Sequence, residues 1–128
     1  MPARVKTANV FLVFLTICAH SAGAHHSWSR YDSDNVVTID AQITGVEWAN
    51  PHVVMRFDAA DANGDAQHWV VEMDPPSLLA RFGMRHDTVV PGMRVKITGV
   101  PALSGANAMR SLMIELPDGT TQRTSSRI

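Results

Sequence analysis

Between residues 37 and 116, apolar and polar side chains alternate with period two in short stretches separated by proline, glycine and asparagine. That pattern commits the chain to strands with one dry and one wet face. In HVVMRFD and QHWVVEM, Val53, Met55 and Phe57 share a face, as do Trp69, Val71 and Met73, while His52, Val54, Arg56, His68, Val70 and Glu72 occupy the opposite faces. The intervening AADANGDA carries Asn63-Gly64, the turn chemistry of a hairpin. A turn centred near Ala62 sets His52 opposite Glu72 and Arg56 opposite His68. A slip of one residue would undo that register.

The flanking segments complete a fold. From Val37 to Trp48, Ile39, Ala41 and Ile43 keep one phase and Val46 and Trp48 the other, so a bulge is expected at Gly45. DPPSLLARFG places prolines at the start and Gly83 at the end of a helix of one or two turns. PGMRVKITGVP alternates Met93, Val95 and Ile97 against Arg94, Lys96 and Thr98, and a last strand runs from Met109 to Leu116. Three strands, a short helix and two strands predict an all-β domain with one short helix, a small five-stranded Greek-key barrel of the OB-fold type. A small open sheet with the helix packed on it is the competing architecture.

The start of the chain follows another logic. Arg4 and Lys6 precede the apolar run Val10 to Ala19, and Ala22 and Ala24 form an A-x-A exit, the pattern of a secretory signal peptide over residues 1–24. A spanning helix needs roughly 20 apolar residues, so no permanent membrane anchor is expected. The only cysteine, Cys18, lies in this leader behind Ile17, too large a neighbour for a lipidation site. The exported chain then has no thiol, which excludes disulfides and thiolate catalysis. Losing Arg4 and Lys6 deepens a formal charge that is already -1, the opposite of what a phosphate-backbone binder requires, so no nucleic-acid partner is expected. The expected organisation is an arm over 25–35, the barrel over 36–119 and a disordered tail over 120–128, in a periplasmic or secreted protein.

Cleavage after Ala24 makes His25 the first residue. Its amine and ring Nδ1 chelate one cation together, and a further imidazole from His26 or His52 completes a three-nitrogen set suited to Cu(II). Cleavage after Gly23 instead makes Ala-His-His, with His26 in the third position of a square-planar copper site. Pro51 stiffens the segment Ala-Asn-Pro-His that carries His52, and Glu72 is placed to orient the imidazole or to act as a weak ligand. The bland alternative makes His25 and His26 a solvated tail and His52 a turn residue. His68 and His86 read as solvated, and Met55, Met73 and Met93 as packing rather than Cu(I) ligands. No nucleophile elbow, phosphate loop or H-E-x-x-H occurs, so enzymatic templates fit badly.

In HHSW, VEWANPH, WVVEM, PPSLLARFG and PGMRVKITG the chain resembles a family of small exported bacterial proteins known only as a domain of unknown function. The resemblance implies matching roles for His25, His26, Trp48, Asn50, Pro51, His52, Trp69 and Glu72 and supplies no activity. Trp28 stands where phenylalanine is commoner. The expected function is therefore copper or other divalent-metal binding through His25, His26, His52 and Glu72, with Cu(II) as the cofactor. The alternative is a metal-free module that binds a periplasmic peptide, glycan or protein, with Trp28, Trp48 and Arg56 on its surface.

Overall fold

The first strand is long enough to serve two neighbours. In the computed structural model, which describes residues 28–127, β1 (Val37–Glu47) pairs through its first half with β4 (Arg94–Pro101) and through its second half with β2 (Val54–Ala60). The pairing with β2 jumps from Ile43↔Phe57 to Gly45↔Arg56, so the bulge falls where the sequence changes phase. β3 (Ala66–Glu72) follows β2 antiparallel, then come α1 (Pro76–Arg81), β5 (Ala108–Glu115) and β6 (Thr121–Arg123). Neighbouring strands run β3-β2-β1-β4-β5-β6, and a parallel pairing of β3 with β5 closes five of them into the expected OB-like barrel. This pairing excludes the open-sheet alternative, because no strand edge is left between β3 and β5.

Val53, Met55, Phe57, Val71 and Met73 are fully buried, as their phase predicts, and the Phe57 and Trp69 rings stack with centroids 5.9 Å apart. Met84 and Met109 join Met55 and Met73 in the core, and Met93 packs against it, so these thioethers are committed to packing. Helix α1 ends as its sequence requires. Gly83 takes φ +88°, and the Met84 N–H returns to the Leu79 carbonyl at 2.9 Å.

Two expectations need correction. The hairpin loop runs from Asp61 to Asp65, with the Asp61 N–H bonded to the Asp65 carbonyl, so its centre is Asn63 rather than Ala62. The Asp61 side chain accepts the N–H groups of Asn63 and Asp65, an Asx-type arrangement that holds a five-residue loop where a two-residue turn was the simpler option. Glu72 therefore pairs with Val54 and His68 with Asp58, a shift of two that preserves the faces and changes the partners.

The second correction concerns the tail. Thr121–Arg123 form β6 against β5, and Thr124 and Ser125 are buried, so the folded unit continues well past residue 119. Low apolar content misleads here because the segment is held by polar and cationic contacts. The Thr124 and Ser111 hydroxyls meet at 2.7 Å, and the Arg123 guanidinium lies 4.5 Å from the Phe82 ring centre. The expected signal peptide over residues 1–24, with Cys18, and His25 and His26 lie outside the described residues.

Candidate functional site

Asn50-Pro51, joined by a cis peptide bond, leads into β2 and leaves His52 half-buried just before the fully buried Val53. The Met73 N–H donates to the Val53 carbonyl at 2.8 Å, which fixes His52 beside the segment Glu72 to Asp74. Burial is the main force on the His52 imidazole, with the Arg110 guanidinium adding to it. Together they hold its pKa below the ordinary histidine value despite the opposing pull of Glu72 and Asp74. Near neutral pH the ring is therefore uncharged, the form that donates a nitrogen lone pair to a metal.

Around it stands a polar network that period-two reading does not anticipate. β4 and β5 lose register between Thr98 and Gly99, and three consecutive residues of β5, Met109, Arg110 and Ser111, are buried. Arg110 is the largest of them. Its Nη2 donates to Asp74 Oδ1 at 2.6 Å, and its Nη1 lies 3.6 Å from Glu72 Oε2. Arg30 reaches Glu72 Oε1 at 3.4 Å, and the Tyr31 hydroxyl also donates to Glu72. Burial first, then the adjacent Glu72 charge, pushes the Tyr31 pKa up to about 12.

Both ends of the described chain cover this network. Two guanidiniums meet the Trp28 ring, Arg110 at 5.0 Å and Arg127 at 4.8 Å from the ring centre. Tyr31 bridges to Ala102, fastening the arm to the end of β4. On the other side, the Ser126 N–H donates to Asp74 Oδ2 at 2.6 Å.

Of the residues singled out from sequence, His52 and Glu72 belong to one electrostatic cluster. The Glu72 carboxylate is engaged by Arg30, Arg110 and Tyr31. Its most direct role is to organise these groups, and coordinating a metal would require it to exchange them. Among the described residues, no group of three or more His, Cys, Asp or Glu side chains is placed to hold a metal ion. Trp28 and Trp48 are half-buried, Trp48 against the core, and Arg56 is exposed. His68 is exposed and meets Asp58 at 2.6 Å, and His86 is exposed in a turn.

Sequence reading missed Asp74, Arg110, Arg30 and Tyr31. Asp74 precedes two prolines and looks like helix-start chemistry, while Arg110 sits in the apolar run AMRSLMIE with nothing to mark it as inward-facing. At the other end of the hairpin an open groove of about 1290 Å³ is floored by Ala41, Ala59 and Trp69 and rimmed by Asp40, Asp58 and Lys96. Among the described residues no helix is long and apolar enough to cross a membrane.

A search of curated proteins gave no match. A family model does match, over residues 13–110, a span that includes the His52 segment, β3 and the buried Arg110. The chain therefore belongs to the Family of unknown function (DUF6152).

Proposed function

We propose that the protein is exported and, once its leader is removed, binds Cu(II) through the amino-terminal amine and ring of His25, with His26 and His52 as further imidazole donors. The observation that carries this reading is the His52 environment: a neutral, half-buried imidazole beside the point where the arm is anchored through Trp28 to Arg110. Only Ser27 separates Trp28 from His26, so the chain ahead of the anchor is short. Imidazole and amine nitrogens are the donor class copper prefers, and copper leads the divalent affinity series. Glu72 acts in this reading as the residue that keeps Tyr31, Arg30 and Arg110 in place.

The test begins with the intact mass of the exported protein, which fixes its first residue. One equivalent of Cu(II) is then added, and affinity and the EPR spectrum are recorded for the parent, His25→Ala and His52→Ala. The expected result is a single site whose affinity falls about tenfold or more with either substitution, the loss of roughly one good ligand. Weak binding that neither substitution alters overturns the copper reading.

A second reading, a metal-free module for a periplasmic peptide, glycan or protein, is favoured by the open groove at the other barrel end. Its test is binding under chelation, measured on the parent and on Trp69→Ala. A partner retained equally by both, or none retained at all, removes it.

A further inference from the structure

Strand β1 has more backbone than its neighbours use. In an antiparallel ladder the N–H and C=O of one residue point to the same side, and those of the next residue to the other. The Ile43 N–H donates to the Met93 carbonyl at 2.9 Å and its own carbonyl accepts the Gly92 N–H at 2.8 Å, so Ile43 is turned towards β4. By the same parity Ala41 and Ile39 face β4, while Gln42, Asp40 and Thr38 face the side of β2. Only the first of these three meets β2. The ladder between the two strands ends at Gln42↔Asp58, and the next residues in step, Asp40 and Ala60, are not paired. Among the described residues, no strand takes up the N–H and C=O groups of Thr38 and Asp40. They line the edge where β1 and the β2–β3 hairpin part, and that parting is the open groove.

A free strand edge is a template for one more strand. Resting on the second reading above, we propose that the groove binds an extended peptide as an added strand along Thr38 to Ala41, one whose side chains alternate basic and apolar. The pleat sets that alternation. Thr38, Asp40 and Gln42 lie on the outer face, so peptide side chains beside them stand among the rim charges, Asp40, Asp58, Asp61 and Glu115 against Arg94 and Lys96. Carboxylates outnumber cations there, and Lys96 stands in register between Asp40 and Glu115, which favours a further cation opposite Asp40. The intervening peptide side chains face the floor. There Ile39, Trp69 and Leu116 are only half-buried and still present apolar surface. A peptide is favoured over a glycan because only a peptide backbone repeats donors and acceptors at the spacing of this edge.

The probe is a fluorescein-labelled heptapeptide, Lys-Val-Lys-Val-Lys-Val-Lys, titrated with the exported chain under chelation and followed by anisotropy. Saturable binding is expected. Glu-Val-Glu-Val-Glu-Val-Glu should bind about tenfold more weakly or worse, because it sets like charges against the rim. N-methylation of one alternate set of amides, lysine or valine, should weaken binding about tenfold, since that set faces β1; methylation of the other set should cost about threefold or less. Asp40→Pro removes an edge N–H where proline is tolerated and should match the harmful methylation, while Asp40→Asn keeps the N–H and should lose only about threefold. Thermal midpoints check that both variants fold, and the methylated peptides carry the test alone if the proline variant does not. No binding of the lysine peptide, equal affinity for the two charge patterns, or equal effects of the two methylations overturns the added strand. So does a concentration-dependent dimer that Asp40→Pro abolishes, since a second copy of this chain would then cover the edge. The two readings fail separately. A glycan or protein lost in Trp69→Ala, with no peptide bound, leaves the groove reading and removes the added strand. Peptide binding with the expected methylation pattern but indifferent to Trp69→Ala leaves the added strand and removes Trp69 from the site.

Discussion

Two polar side-chain contacts of equal length stand at opposite ends of the barrel. At one end Arg110 and Asp74 meet at 2.6 Å with side chains 2% and 4% exposed; at the other His68 and Asp58 meet at 2.6 Å with exposures of 87% and 34%. Distance is the same and consequence is not. The exposed pair can exchange its partner for water and salt at little cost, so it contributes next to nothing to stability. The buried pair has no such exchange, because Trp28, Glu72 and the C-terminal segment occupy the space that water would need. Removing one partner there leaves a charge stranded in a poorly solvated site. The comparison teaches that the polar end of this barrel is a built structure, whereas the groove end carries surface chemistry.

The sharpest way to break the comparison is Asp74→Ala, which strands Arg110 and releases Ser126 together. A loss of about 3–5 kcal/mol in urea denaturation is expected, and a loss under 1 kcal/mol would mean that the buried network is far better hydrated than its packing implies. Next comes Gly99→Ala. An added Cβ would lie 2.2 Å from the Arg110 carbonyl oxygen, a backbone atom on the neighbouring strand, so β4 and β5 would have to part. The cost should be about 1–3 kcal/mol, read from the same denaturation curves.

Proton titrations sharpen the contrast further. Tyr31 should ionise with a midpoint near 12 rather than 10, measured by phenolate absorbance. Because the folded state holds that proton longer, the unfolded state binds fewer protons between those values, and stability should fall as pH rises through the window. Tyr31→Phe should remove that slope. His52 acts in the opposite sense. Its folded pKa is lowered, so below the ordinary histidine value the unfolded state binds more protons and stability rises with pH. His52→Gln should flatten the profile there, and proton NMR should place the His52 midpoint below the ordinary value.

The smallest effect belongs to the groove end. His68→Ala should change stability by no more than about 0.5 kcal/mol, and a loss of 2 kcal/mol would erase the distinction between the two ends.

What was legible in the sequence follows the reach of each interaction. Strand phase, the bulge at Gly45 and the glycine stop of the helix are local, so Ile43, Gly45 and Gly83 announce them. The hairpin centre was misplaced because the Asp61 side chain competes with a tighter turn for the same backbone groups. The tail was misjudged because β6 depends on β5 and on Phe82, both distant in sequence. His52 and Glu72 attract notice in the sequence, since a proline-held histidine and a strand carboxylate stand out along the chain. Their neighbours do not, because Arg110 and Asp74 are 36 residues apart and acquire meaning only together.

The sequence by itself determined that this protein is a small β domain with one short helix, and alternation decided which side chains of the β2–β3 hairpin face inward, since burying one face of a strand needs only the period of the strand. The closure of β3 on β5, and the meeting of Trp28, Arg110, Asp74 and Arg127, were decided by the tertiary structure alone. A guanidinium carries the same charge and donors wherever it lies along a chain. Whether it becomes a solvated surface group or the centre of a buried network depends on which distant segments fold over it and exclude water.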